Sequence, residues 1–336
     1  MKKRTVSIIV ILLFITLLAV INYKQKPLTK TDFKLNTVVT ITVYDGDEKL
    51  LNGCMEICDK YENMFSRTDE DSELYMLNHG LLKKDSDGYM QVSDELYQLI
   101  QDGLLYMELT DGRFHIGMEP LASIWNFSGE DRKVPSTEEL VHSIRYVNNH
   151  GIRCKSPNLV YLEEGAGIDL GATAKGYISE KVKEYLVTNG VSRAVISLGG
   201  NIVCIGEKEK ETPFVIGIQK PFASRGEAMG MVEIRDAAVV SSGIYERYFE
   251  EGGLLYHHIL NPKTGYPYEN DIVGVTIICE DAYLADIYST MSLILGSEDA
   301  IALLNKTDGV EGMLILKDDA VLFSDGFIEK YKYQNN

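Results

Sequence analysis

Helix-like and strand-like periods alternate along this chain without the regular strand–helix–strand beat of a doubly wound parallel sheet, and that irregularity most narrows its fold. Thr37 to Tyr44 (TVVTITVY) is dense in β-branched residues and reads as a strand. Leu51, Met55, Cys58, Tyr61 and Phe65 recur at helical spacing within 47–65. Ser93 to Leu109 reads as a helix stopped by Asp111-Gly112, and Ser136-x-x-Glu139 has the form of a capping box. Ala174 to Thr188 is expected to be helical up to Asn189-Gly190, as is Leu284 to Leu295. Strands are expected at 193–198, 202–206, 214–218, 230–234 and 273–279, with a closing hairpin over 313–323. Such interleaving predicts an α+β fold with mixed or antiparallel sheets and flanking helices. No repeat, low-complexity run or internal linker breaks the chain, so one catalytic unit over 33–333 is expected.

Ahead of that unit, Lys2-Lys3-Arg4 precede an almost unbroken apolar run from Val6 to Ile21. A basic start followed by an apolar stretch marks export or membrane anchoring. No Ala-x-Ala site follows, and the first cysteine is Cys54, so a lipid-anchored start is not encoded. Residues 1–22 are read as a signal-anchor, with a cleaved signal as the alternative, and 23–32 as a polar tether. The positive-inside bias then predicts a single-pass cell-membrane protein with its catalytic body on the extracytoplasmic face. Five cysteines, with Cys54 and Cys58 at core spacing, make no disulfide framework. Neither CxxC nor HExxH occurs, which argues against zinc chemistry.

Charge excludes another class. The 336 residues carry 33 Lys+Arg against 50 Asp+Glu, a formal −17. Residues 1–30 hold six of the cations and no acid, leaving 27 against 50 in the remainder. A body at −23 has no general attraction for nucleic acid. An anionic ligand would need a local cation.

Four segments could carry chemistry. Asp169-Leu-Gly-Ala-Thr-Ala-Lys175-Gly-Tyr leads glycines into a helix N-terminus, which favours an anion, and Lys175 adds a full charge. The same residues would also suit an ordinary strand-to-helix turn. Leu198-Gly-Gly-Asn201 permits close backbone approach to a ligand, or simply a tight hairpin. Ser241-Ser-Gly243-x-Tyr245-x-Arg247, followed by His257-His258-Ile259-Leu260-Asn261-Pro262-Lys263-Thr264-Gly265, crowds two histidines and a cation beside strong turn chemistry. Asp286 and Thr290, at i and i+4 on one helix face, place a carboxylate and a hydroxyl within reach of one hard cation, or else form a solvated face. No P-loop, dinucleotide fingerprint or nucleophile elbow is present.

In order and spacing, D-x-G-x-x-A-K-G, G-G-[DN], S-G-x-Y-x-R, H-I-[IL]-[DN]-P-x-T-G and A-D-x-x-x-T resemble the motifs of the ApbE family of FAD:protein FMN transferases, over residues 33–325. Ser72-Glu73-Leu74 with Leu77-Asn78, and Gly112 to Trp125, resemble two further family segments. The resemblance implies FAD as substrate, held in a deep cleft with Mg²⁺ at its pyrophosphate. It implies Ala172 (through its carbonyl), Asp286 and Thr290 as magnesium ligands. FAD contacts are implied for Asn36, Thr37, Ser72, Glu73, Phe114, His115, Ile116, Asp169, Lys175, His258, Ile259 and Thr264. Four positions depart from the family pattern. His115 stands where Asp is usual, Gly117 where Thr is usual, and Asn201 and Asn261 where Asp is commoner. The implied reaction joins FMN to a Ser or Thr hydroxyl of a target flavoprotein or redox-complex subunit and releases AMP. His258, as an imidazole titrating near working pH, is the expected base, with Asp286 as its rival. Hydrolysis of FAD to FMN and AMP, and non-catalytic FAD binding, are the competing readings.

Overall fold

A computed structural model describes residues 26–148 and 151–336. The expected signal-anchor at 1–22 and residues 23–25 of the expected tether lie outside the described residues. Among those described, no helix is long and apolar enough to cross a membrane. The fold is α+β, and every strand pair is antiparallel.

The central sheet has eight strands: β1 (Leu28–Lys34), β2 (Thr37–Val43), β6 (Ala194–Leu198), β7 (Asn201–Ile205), β10 (Ala238–Gly243), β13 (Ile272–Cys279), β14 (Glu311–Leu316) and β15 (Val321–Phe323). They lie side by side in that order. On β2, Val39, Ile41 and Val43 are buried on one face, the period-two signature seen in the sequence. Strand β13 is interior and both its faces are covered, so all eight of its residues are buried. Strand β1 takes up residues 28–32, which composition assigns to the tether. Its residues are mostly exposed and polar, and it is held by a full antiparallel register with β2 and by cross-strand threonine pairs, Thr29 with Thr42 (2.9 Å) and Thr31 with Thr40 (3.1 Å).

One face of this sheet is covered by helices α1 (Glu48–Phe65), α6 (Ala174–Thr188) and α7 (Ala282–Leu295). Helix α3 (Asp94–Leu109) joins the same core. Asp47 caps α1 by accepting from the Leu50 amide at 3.0 Å, and the apolar stripe read from the sequence is its buried face. Cys54 and Cys58 lie in that stripe, where burial pushes both thiols up to about 12. The other face packs on a three-stranded sheet of β8 (Phe214–Gln219), β9 (Ala228–Ile234) and β16 (Gln334–Asn335), together with α9 (Phe327–Tyr331). A second three-stranded sheet comprises β3 (Met90–Gln91), β5 (Leu159–Leu162) and β4 (Ile152–Lys155).

A satellite core forms under α4 (Glu119–Trp125), α5 (Thr137–Asn148) and the hairpin of β11 (Tyr248–Glu251) and β12 (Leu254–His257). The expected capping box opens α5: the Ser136 hydroxyl accepts from the Glu139 amide at 3.2 Å, and the Glu139 carboxylate accepts from the Ser136 amide at 2.7 Å. Helices α2 (Glu73–Asn78) and α8 (Ser297–Lys306) are the remaining helices among the described residues.

Candidate active site

At the end of the central sheet where β2 and β7 begin and β6 and β10 finish, a cleft of about 1280 Å³ opens. That is roomier than the ~300–1,000 Å³ typical of sites for drug-sized ligands. Its wall begins at the two-residue turn between β1 and β2. Leu35 (φ 55°) and Asn36 (φ 54°) both adopt positive φ, the geometry that matches strand twist in tight hairpins. The Glu62 carboxylate accepts from the Leu35 amide at 2.9 Å and fixes the turn. Thr37 then packs against the β6–β7 turn. A side chain at Gly199 (φ +54°) would sit 2.1 Å from the Thr37 hydroxyl, so only glycine fits there. Asn201 is fully buried as the first residue of β7, one step beyond the turn expected to hold it.

The loop before α6 is braced internally. The Asp169 amide donates to the Ile116 carbonyl at 2.8 Å, and its Oδ1 accepts from the Gly171 amide at 2.7 Å. Its Oδ2 lies 3.0 Å from Arg67 Nε, and Arg67 Nη1 donates to Ser123 Oγ at 3.2 Å. Past Ala172, α6 meets α7 at Gly176. A Cβ there would lie 2.5 Å from the Ala282 carbonyl oxygen and 2.6 Å from Asp286 Cβ. The missing side chain lets the Gly176 amide donate to Asp286 Oδ2 at 2.8 Å, while Lys175 Nζ stands 3.6 Å from Asp286 Oδ1. Asp286 is thus a buried carboxylate with one amide and one cation as partners, and Thr290 joins it in the cleft wall. Ser242 pairs with Ser289 of α7, and Ser241 with Thr276 of β13, both at 2.9 Å, tying the end of β10 to its surroundings.

The paired histidines divide their labour. His257 is buried, its Nε2 donating to the Tyr268 carbonyl at 3.2 Å while its Nδ1 accepts from the Ile259 amide at 3.3 Å. Burial pushes its pKa down to about 4. His258 lines the cleft, and its Nδ1 donates to the Arg247 carbonyl at 3.2 Å, which leaves Nε2 as the lone-pair nitrogen. Burial first, and then the Arg247 cation, push its pKa down to about 3. The expectation that this imidazole titrates near working pH is therefore not met: it stays neutral there.

The cleft collects Asn36, Thr37, Phe114, His115, Asp169, Ala172, Lys175, His258, Ile259, Asp286 and Thr290. Four expected contacts lie outside its lining. Ser72 is the buried cap of α2, accepting from the Tyr75 amide at 3.1 Å. Glu73 accepts from the amide and hydroxyl of Ser93, both at 2.6 Å, clamping α2 to α3. Ile116 is core, and the exposed Thr264 hydroxyl accepts from the Tyr266 amide within its own turn. That turn is pinned by Trp125 Nε1, which donates to the Gly265 carbonyl at 2.7 Å. The departures at 115 and 117 are coupled. Gly117 donates its amide to His115 Nδ1 at 2.9 Å, and a Cβ at 117 would lie 2.8 Å from His115 Cε1.

The sequence shows only part of the charge that gathers here. Arg67, Arg113, Arg132, Arg225 and Arg247 join Lys175 in the lining, six cations against the carboxylates of Glu62, Asp169, Glu246 and Asp286. Arg247 and Arg113 sit in segments whose motifs stand out in the sequence, whereas Arg67, Arg132 and Arg225 stand in loops that carry no signal. In a protein at −17, this is a local cationic basin.

Cleft, sheet order and motif positions define one class. The model of the ApbE family matches residues 35–314, and the chain belongs to that family. It is 30% identical over 292 residues to a Klebsiella pneumoniae protein named FAD:protein FMN transferase, spanning 86% of this chain and 89% of that one. A Treponema pallidum protein of the same name is 29% identical over 324 residues, 90% of this chain and 88% of the relative. Among solved structures, the ApbE protein of Thermotoga maritima superposes with a TM-score of 0.80 at 30% identity, covering 90% of this chain and 98% of that one. The flavin transferase ApbE of Vibrio cholerae gives 0.79 at 25% identity, covering 90% and 99%.

Proposed function

We propose that this chain transfers FMN from FAD to a Ser or Thr hydroxyl of a target flavoprotein. The hydroxyl oxygen attacks the FMN-side phosphorus, the bond to the AMP phosphate breaks, and AMP leaves with that electron pair. The hydroxyl proton passes to a base or to water. The observation that carries the reading is the Asp286–Gly176–Lys175 arrangement, whose two charged side chains line a cationic cleft. It holds a carboxylate and an ammonium side by side, a pairing suited to a pyrophosphate and its counter-ion, and phosphoryl transfer is mostly positioning and charge stabilisation. The names of the relatives support the same activity.

Magnesium fits the donors available. Among the described residues no cluster of three His, Cys, Asp or Glu exists, so a metal here would rest on the Asp286 carboxylate, the Thr290 hydroxyl and the Ala172 carbonyl, completed by substrate phosphate. One carboxylate with neutral oxygens and phosphate is the usual setting for Mg²⁺, which would supply positive charge to the pyrophosphate. Neutral His258 offers the Nε2 lone pair as an acceptor in the cleft wall. The basic and apolar start of the chain supports a membrane-anchored enzyme acting on the extracytoplasmic face.

The test is intact mass of a flavin-acceptor domain incubated with this protein, FAD and Mg²⁺. A gain of one FMN is expected, with loss of at least ~100-fold in rate for Asp286→Asn, the order seen when a charge-stabilising group is removed. Release of FMN and AMP with an unmodified acceptor would overturn the transferase reading in favour of hydrolysis.

A further inference from the structure

Arg225 reaches the cleft from the far layer of the molecule. It stands in the turn between β8 and β9, strands of the sheet that packs on the opposite face of the central sheet from α6 and α7. Phe214, Ile216 and Ile218 of β8 are buried, but residues 219–227 leave the core and lie mostly exposed. The register of β8 on β9 shifts between Ile218 and Gln219, so regular pairing does not carry into the turn. Within itself the turn is well braced. Gln219 Nε2 donates to the carbonyls of Lys220 and Ser224, both at 3.0 Å, and Gln219 Oε1 accepts from the Gly226 amide at 3.0 Å. Lys220 Nζ lies 3.6 Å from Glu227 Oε1 across its base. The turn is a preformed unit whose direction must be fixed from outside.

Phe222 fixes it. Its ring stands edge-on to Tyr248 at 5.4 Å between centroids and to Tyr245 at 5.9 Å. Those two tyrosines bracket Glu246 and Arg247 in the chain, and both of the bracketed residues line the cleft. Phe222 is 50% exposed and holds φ at 58°, a left-handed conformation that strains a bulky side chain and suits glycine. Neither the exposure nor the backbone favours phenylalanine, so the two ring contacts are what the position gains from it. Three residues on, Arg225 lines the cleft, and its guanidinium forms no ion pair or hydrogen bond among the described residues. Glu246 shows which part of the cleft Arg225 serves: burial pushes the Glu246 carboxyl up, and Arg225, then Lys175 and Arg247, pull it down. Arg225 thus acts on the same region as Lys175.

We propose that Phe222 is a positioning residue: its ring, seated on Tyr245 and Tyr248, clasps the β8–β9 turn against the cleft and so holds Arg225 over a bound phosphate. This rests on the reading of the cleft as the site of a phosphate-bearing substrate. A guanidinium with its five N–H donors uncommitted takes phosphate oxygens in pairs, as an ammonium cannot. Fixing it before the ligand arrives lowers the ordering cost of binding. Phe222 is not itself part of the cleft lining, so it acts through Arg225.

The experiment measures equilibrium binding of ADP and of riboflavin to the full chain, by displacement of FAD, in Phe222→Ala, Phe222→Tyr, Arg225→Gln and the double variant Phe222→Ala/Arg225→Gln. Phe222→Ala and Arg225→Gln are each expected to weaken ADP about tenfold, as loss of one charge-assisted hydrogen bond does, and to leave riboflavin within about twofold. The double variant should bind ADP no more weakly than Arg225→Gln alone, because the ring acts only through the cation. Phe222→Tyr, which keeps the ring, should bind ADP as the unmodified protein does. Losses that add in the double variant, or equal weakening of ADP and riboflavin, would give Phe222 a merely structural role and overturn the proposal. So would ADP binding untouched by either single substitution. Failure of the unmodified protein to bind FAD at all would defeat the underlying reading of the substrate as well. The assay reads binding without transfer, so a protein that shows this coupling but transfers nothing keeps this proposal and loses the previous one.

Discussion

At His257 the imidazole is enclosed between the end of β12 and the Ile259–Tyr268 loop, with both nitrogens committed to backbone groups. It must stay neutral to keep the Nδ1 bond, and burial holds its pKa at about 4 against an ordinary value near 6.5. The consequence for stability has a definite sign. The unfolded chain takes up a proton below about pH 6.5 and the folded chain does not, so this group stabilises fully above that pH and its contribution drains away between 6.5 and 4. The slope approaches ~1.4 kcal/mol per pH unit for one such group, and His258 adds to it with the same sign. Urea unfolding measured from pH 7.5 to 4.5 should show this decline, shallower in His257→Gln. An unchanged slope in the variant would place the acid sensitivity elsewhere.

Among elements, the contact of α6 with α7 decides the geometry at Asp286. Gly176 is the point of closest approach, and any Cβ there meets the Ala282 carbonyl and Asp286 itself. Gly176→Ala is therefore expected to cost about 1–3 kcal/mol by overpacking, despite alanine's higher helix propensity. It should also reduce activity more than stability alone explains, because the amide that orients Asp286 moves away. Thermal unfolding and turnover measured below the melting range separate the two effects. The same helices show what the sequence makes legible. Ala174–Thr188 is bounded in the sequence by its glycine-rich entry and Asn189-Gly190 exit, and α1 is marked by a five-residue apolar stripe, so local chemistry suffices. Strand β1 escaped because its residues are mostly exposed and polar, and only pairing with β2 makes it a strand. Ser72 and Glu73 stand outside the cleft lining for a related reason. A cap and a clamp between α2 and α3 leave the same serine and glutamate in the sequence as ligand contacts would, and only the fold shows that their oxygens are already used.

Taken whole, the molecule sets a cationic cleft within an acidic body. The order of its motifs places Asp286, Lys175 and His258 in one cleft, but charges such as Arg67 and Arg225 come from loops that only the sheet's closure brings there. A ligand should therefore be held chiefly by its phosphates. ADP is expected to compete with FAD far better than riboflavin does, and raising salt from 50 to 500 mM should weaken ADP by about three- to tenfold, since exposed charges are screened over a Debye length of ~10 Å at 0.1 M. Riboflavin competing as well as ADP, with no effect of salt, would show that the ring dominates. One further consequence follows from where β13 sits. This strand, buried on both faces, lies between β10 and β14, yet it is not complete until residue 279, and its outer neighbour β14 ends at Leu316. As a ribosome extends the chain, more than two hundred residues emerge before the interior of the sheet can close. The nascent polypeptide must carry its open apolar faces through most of its own synthesis, so chaperone occupancy is expected to persist until β13 and β14 have emerged.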